Sequence, residues 1–137
     1  MASTSYFILI LVVSLTLSQF SFSSADDSTP SVHLINNMPS DHQPNVTDVT
    51  VTCKIQTGLP LLSVTVVLGQ EFPFDAGITN DIYVCFARWG NLWAYFNAYD
   101  PLKEDKGRPI VYWSIRFEGF YKSWDKANWT GVTEWDN

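Results

Sequence analysis

From Asp48 to Ile55 apolar and polar residues alternate without a break, with Val49, Val51, Cys53 and Ile55 set against Thr50, Thr52 and Lys54. Successive side chains of a β-strand point to opposite faces, so this period of two predicts a strand with one face on a core and the other in water. Ile110 to Phe117 repeats the pattern, with Val111, Trp113, Ile115 and Phe117 opposing Tyr112, Ser114 and Arg116. Leu61 to Leu68 is a run rich in β-branched residues, and Val32 to Asn36 is the first strand candidate of the chain. In Glu71 to Asp75 the rings of Phe72 and Phe74 share a face, while Pro73 limits the segment to a short edge strand. A turn at Glu118-Gly119 leads into a further strand from Phe120 to Trp124.

The densest aromatic stretch, Asp81 to Asp100, reads as two strands joined at Gly90-Asn91. Tyr83, Cys85, Ala87 and Trp89 share one face of the first strand, against Ile82, Val84 and Phe86. In the second, Trp93, Tyr95 and Tyr99 oppose Leu92, Ala94, Phe96 and Ala98. Both faces are apolar, which places this hairpin in the middle of a sandwich, covered on both sides. Asn37 to Thr47, Gln56 to Pro60 and Asp100 to Pro109 carry the turn formers and charges of loops. The tail from Asp125 to Asn137 repeats no earlier pattern. Seven or eight short strands without helical periodicity predict an all-β fold, an antiparallel β-sandwich.

The first 25 residues contain no charged side chain, and Tyr6 to Leu17 is an almost unbroken apolar run. That run is short for a bilayer span and suits a secretory leader, with Ser23-Ser24-Ala25 offering the small residues of a cleavage site after Ala25. Residues 1–25 are therefore expected to be a signal peptide, 26–31 a loose polar lead-in and 32–137 one domain. The chain left after cleavage should be extracellular, without stable membrane insertion, and monomeric. Its net charge of −6, with basic residues scattered, disfavours nucleic acid and anionic membrane as partners.

An oxidising compartment gives the two cysteines, Cys53 and Cys85, a simple use as one disulfide. It also makes the sequons Asn45-Val46-Thr47 and Asn128-Trp129-Thr130 candidate N-glycosylation sites at Asn45 and Asn128.

Residues for catalysis are few. His33 lies in a strand pattern and His42 in a proline-rich loop, neither with a metal-ligand partner at a recognised spacing. The carboxylates, Glu71, Asp75, Asp81, Asp100, Glu104, Asp105, Glu118, Asp125 and Glu134, fall mostly at strand ends and in loops, where solvated turn residues are expected. Asp100 to Gly107 lacks the alternating oxygen ligands of a calcium loop, and no phosphate-cradling glycine loop is present. No enzyme activity, cofactor or metal is expected. Trp89, Trp93, Tyr95, Tyr99, Trp124, Trp129 and Trp135 offer an alternative, a carbohydrate-binding or defence-related module, which would need three neighbouring rings in solvent.

Several landmarks fall in a fixed order. They are Val32-His33-Leu34-Ile35-Asn36, Val51-Thr52-Cys53, Leu68-Gly69-Gln70-Glu71-Phe72-Pro73-Phe74 and Tyr83-Val84-Cys85-Phe86 with Trp89. Phe96-Asn97-Ala98-Tyr99-Asp100, Trp113-Ser114-Ile115 and Gly119-Phe120-Tyr121 complete the series. This order resembles the plant self-incompatibility S1 family, small secreted β-sandwich proteins, over Val32 to about Trp124. Members of that family usually carry four cysteines, the last two just before the tryptophan matched by Trp113. Here Arg108, Pro109, Ile110 and Val111 occupy that region, which implies that Cys53 and Cys85 are a retained pair. The family also tends to have an acidic, lysine-containing turn after the first cysteine, where this chain has the uncharged Gln56-Thr57-Gly58-Leu59-Pro60.

The resemblance implies a secreted signalling or recognition protein; the family's type members are pistil determinants acting on incompatible pollen through a pollen-surface receptor. An extracellular or cell-surface protein receptor is thus the expected partner. Because strands are occupied with the core, the contact surface is expected in loops. The candidates are Gln56 to Pro60 and the charged loop with Asp100, Lys103, Glu104, Asp105, Lys106 and Arg108. Asp100 to Pro109, the most charged stretch, is expected to be an exposed loop, and if it matters for binding, neutralising Glu104 and Asp105 should weaken binding without lowering the melting temperature.

Overall fold

The computed structural model describes residues 29–40, 47–58, 60–77 and 80–137. The expected leader, the first half of the lead-in, His42 and the sequon asparagine Asn45 lie outside them. Nine strands follow in order: β1 (Ser31–Asn36), β2 (Val49–Ile55), β3 (Pro60–Val66), β4 (Glu71–Asp75), β5 (Tyr83–Trp89), β6 (Leu92–Tyr99), β7 (Ile110–Arg116), β8 (Gly119–Ser123) and β9 (Thr130–Thr133). One sheet has the order β4-β1-β7-β8-β9 and the other β3-β2-β5-β6. The described residues form an all-β sandwich without helix.

The alternation along β2 is realised as read, with Val49, Val51, Cys53 and Ile55 buried and the threonines and lysine between them in solvent. Its inward face meets the inward residues of the opposite sheet, among them Val32, Leu34, Val111 and Ile115. Phe96 of β6 joins the layers, its ring centroid 4.8 Å from Trp113 and 5.0 Å from Phe120. The buried Trp113 indole donates across the gap to the Ala98 carbonyl at 2.9 Å, so a large ring is packed without an orphaned donor. Cys53 and Cys85 stand directly opposite one another in β2 and β5, fully buried and bonded.

Every strand pair is antiparallel except β1 with β7. A parallel pair requires a crossover, and the chain builds β2, β3, β5 and β6 in the other sheet before β7 returns beside β1. Asn36 fastens this crossing. Its fully buried Nδ2 donates to the carbonyls of Thr47 at 3.0 Å and Val66 at 2.8 Å, while Oδ1 accepts the Met38 N–H at 3.0 Å.

Four details correct the reading of the sequence. First, the aromatic hairpin is not covered on both sides: β5 is interior to its sheet, but β6 is an edge, and Tyr95 on the outer face is 59% exposed. Second, Tyr99 does not share a face with Tyr95. Tyr83 pairs with Tyr99 while Val84 pairs with Asn97, so Ala98 is an extra residue; this bulge turns both Ala98 and Tyr99 into the core. Third, β7 ends at Arg116, and Phe117 falls in the turn, exposed. Fourth, the tail supplies a ninth strand. It continues to Asp136, whose backbone exchanges bonds of 3.0 and 2.8 Å with Trp93 and covers part of the β6 edge.

Candidate functional site

The charged loop between β6 and β7 is held from beneath. Asp100 Oδ1 accepts the N–H groups of Leu102 and Lys103 at 3.1 and 3.2 Å, capping the turn. Asp105 reaches back, its Oδ2 accepting the Asp100 N–H at 2.7 Å. Its other oxygen, Oδ1, accepts from Lys122 Nζ at 2.7 Å and from the Trp124 indole at 2.8 Å. Asp105 is 0% exposed and Lys122 7%. Lys122 completes its coordination with Glu104 at 3.1 Å, and the rings of Trp113 and Trp124 lie 5.6 and 5.7 Å from its ammonium. A buried charge is tolerated only when paired and hydrogen-bonded, and here both conditions are met.

This arrangement corrects the expectation of an evenly exposed loop. Asp100 and Asp105 are buried structural groups, whereas Leu102, Lys103, Glu104, Lys106 and Arg108 point outward. Neutralising Asp105 therefore disturbs the fold, and only Glu104 of the two acids is a fair probe of contact. Lys122 was readable in hindsight: two residues from the inward Phe120, it puts a cation on the core face of β8, and such a cation demands a carboxylate.

Arg108 lays its guanidinium 4.1 Å above the Trp124 ring, which is 41% exposed. Beside this pair a cavity of about 660 Å³ runs between the loop and the segment 122–132, bordered by Glu104, Arg108, Trp124, Asp125, Asn128 and Val132. Glu104 and Val132 also border a smaller cavity of about 260 Å³ that reaches Tyr95 and Asn97 on β6.

The far wall is a tight turn organised by Asp125. Its Oδ1 accepts the N–H groups of Asn128 and Ala127 at 2.8 and 2.9 Å, Oδ2 accepts Asn128 Nδ2 at 2.6 Å, and Ser123 Oγ donates to Oδ1 at 2.8 Å. These bonds, the Asn128 backbone donor foremost, hold the Asp125 carboxyl well below the usual carboxylate range. A pKa lowered in the folded form favours the turn above the unfolded aspartate value, about 3.9, and is lost only as pH falls through the lowered value. The amide resonances of Ala127 and Asn128 should therefore hold still in an NMR titration from neutrality to about pH 4. Movement of both with a midpoint near 3.9 would show that these bonds do not hold the ionised form.

The remaining candidates are dispersed. Gln56, Thr57 and Gly58 form an exposed hairpin turn, with Gly58 at a φ of 119° that side chains rarely adopt. His33 lies between Ser31 Oγ at 3.1 Å and Glu71 Oε2 at 3.3 Å, against Tyr112, while Glu71 Oε1 binds Lys126 at 3.0 Å. Burial, the largest single influence, pulls the Glu71 carboxyl upward, and the bonds and charges of Lys126 and His33 together outweigh it and hold the group below its ordinary pKa. The order serine, imidazole, carboxylate is that of a nucleophile relay, but the Ser31 N–H is consumed by the Pro109 carbonyl at 2.9 Å rather than aimed at an oxyanion. The network instead pins β4 to β1 from the outer face.

The seven aromatics do not gather on one exposed surface. Trp89 and Tyr99 are buried, and Trp135 packs on Phe120 at 4.7 Å. Trp93 and Tyr95 do gather with Phe86 on the outer face, but their planes meet at 31°, 47° and 74°, so they form no flat strip.

Residues 31–135 match the model of the family described as plant self-incompatibility protein S1. The chain belongs to this family. A solved structure from work on self-incompatibility protein homologues, described as a widespread family of small, highly stable, secreted proteins from plants, has a TM-score of 0.56 to this chain. It is 15% identical, and the match covers 80% of this chain and 98% of that one; at that identity it shows a shared fold. No curated protein sequence matches. Within this S1-family chain, the charged loop, Lys122, Trp124 and the Asp125 turn all fall inside the matched span. No helix among the described residues is long and apolar enough to cross a membrane.

Proposed function

We propose that this S1-family chain is a secreted, monomeric ligand that acts by binding a cell-surface protein receptor rather than by turning over a substrate. It docks through the outward side of the Asp100–Pro109 loop. The observation that carries this reading is the division of labour within the loop. Asp100 and Asp105 are spent on holding the backbone, which leaves Leu102, Lys103, Glu104, Lys106 and Arg108 presented in a fixed geometry. A preordered loop loses little conformational freedom on binding, and mixed charges around an exposed apolar residue suit partner choice and rapid encounter. Membership of the S1 family and the secreted character given for the solved structure it resembles support export; the uncharged first 25 residues, with their apolar run, are the leader that would direct it.

The test uses tagged protein on intact plant cells. Replacing Lys103 and Lys106 together by Glu, in a chain that also carries Leu102→Ala, should weaken cell-surface binding at least about tenfold. The melting temperature should stay within about 2 °C, because these side chains contact solvent. Thr52→Ala on the distant outer face of β2 should bind as the parent does. Unchanged binding by the triple variant would sink the loop as the contact surface.

A further inference from the structure

The cavity beside Trp124 and the sequon at Asn128 are one feature. In the segment Asn128-Trp129-Thr130 the side chains alternate: Asn128 and Thr130 border the cavity, while Trp129 turns to the opposite face beside the Arg116 guanidinium. Asn128 is exposed, and its Nδ2, the atom that N-glycosylation modifies, is held by Asp125 on the cavity's wall. Only one of the two Nδ2 hydrogens is needed for that bond, so a sugar can replace the other while Asp125 still fixes the amide's orientation.

The volume, about 660 Å³, is within the range of small-molecule sites, roughly 300 to 1,000 Å³. Its lining has the composition that sugars need. Val132 and the part of Trp124 left open beside the Arg108 guanidinium, the side chain being 41% exposed, give apolar surface for the C–H groups of a pyranose ring, and Glu104, Arg108 and Asp125 surround them with donors and acceptors for hydroxyl and acetamido groups. Charges of both signs border it, which suits a neutral polyol better than an ion.

We propose that Asn128 is N-glycosylated and that the first N-acetylglucosamine residues of this glycan lie in the cavity against Trp124. The bond forms between Asn128 Nδ2 and the anomeric carbon of a polyprenyl-pyrophosphate-linked oligosaccharide; one amide proton is released and the lipid pyrophosphate leaves. The attached sugar is held at a high effective concentration beside its own site, so individually weak contacts suffice to seat it. The seated glycan covers the Trp124 side of the charged loop and leaves Leu102 and Lys103 free. The glycan would take Glu104 and Arg108 out of the proposed receptor surface, which then rests on Leu102, Lys103 and Lys106.

The test uses the full chain secreted from eukaryotic cells, with occupancy at Asn128 read by peptide mass spectrometry. Oxidation of Trp124 by N-bromosuccinimide under native conditions should be at least tenfold slower in the glycosylated protein than in Asn128→Gln. After denaturation the two should react alike. An endoglycosidase that cuts between the two core N-acetylglucosamines should release the native Asn128 glycan at least tenfold faster from Trp124→Ala than from the parent. Free diacetylchitobiose added to Asn128→Gln identifies the source of the sugar. Protection by the free disaccharide without protection by the attached glycan would make the cavity a site for exogenous sugar and overturn the proposal. An unmodified Asn128, or equal oxidation and release rates, would overturn it as well.

Discussion

Asp105→Ala should lower the stability of the fold by about 3 to 5 kcal/mol, the range for removing one partner of a buried ion pair. The loss has three sources in the structure. Lys122, 7% exposed, keeps only Glu104, whose own side chain is 69% exposed and therefore well screened. The Trp124 indole N–H and the Asp100 N–H lose their acceptor at the same time. In a domain of this size the melting midpoint should fall by roughly 10 to 20 °C. Asp105→Asn should cost less, because an amide oxygen in the place of Oδ1 can still accept from Lys122 and the Trp124 indole.

The decisive measurement is the cycle with Lys122→Met. If the cost comes mainly from stranding the ammonium, the double variant Asp105→Ala/Lys122→Met should recover about 1 to 3 kcal/mol over Asp105→Ala alone. Urea unfolding of the four proteins reads this directly. An Asp105→Ala variant within about 1 kcal/mol of the parent would mean that the buried pair does not hold the loop. The proposed contact surface would then lose its physical basis, since Leu102, Lys103 and Lys106 would no longer be presented in a fixed geometry.

The same carboxylate shows where reading the chain stops working. Alternation told inward from outward along β2 and most of β7, because both strands press one face on a continuous core. It failed at Tyr99, because a bulge inserts one residue and reverses the faces beyond it, and nothing in the order Asn97-Ala98-Tyr99 announces a bulge. It was silent on β9, whose residues Thr130, Gly131 and Val132 are all exposed: a strand held by its backbone bonds to β8 has no face to bury and so no period to display. The parallel pairing of β1 with β7 was equally hidden, since pairing across most of the chain leaves no local mark. Asp105 belongs to this last class. Within Asp100 to Pro109 the acids look alike, and what separates Asp105 from Glu104 is Lys122, which reaches it only through the fold.

Replacing Cys53 and Cys85 together by Ala should cost a comparable amount for a different reason. The disulfide closes a loop of sequence separation 32, and the chain-entropy model gives about 3.7 kcal/mol for a closure of that length. This acts on the unfolded chain, so the native ladder of β2 with β5 should survive, with Cys53 and Cys85 already directly opposite in the register. Two signatures follow that distinguish it from Asp105→Ala. The slope of stability against urea should rise, because an uncrosslinked unfolded chain exposes more surface, whereas Asp105→Ala should leave the slope unchanged. The proposed binding to intact cells should persist at temperatures well below the new midpoint, because the geometry of the Asp100–Pro109 loop is set by Asp105 and Lys122 rather than by the sulfur bridge. The chain has only these two cysteines, so no second bridge can buffer the loss. A Cys53→Ala/Cys85→Ala protein within about 1 kcal/mol of the parent, with the same urea slope, would show that the sandwich is held by its packing alone and that its one crosslink is dispensable.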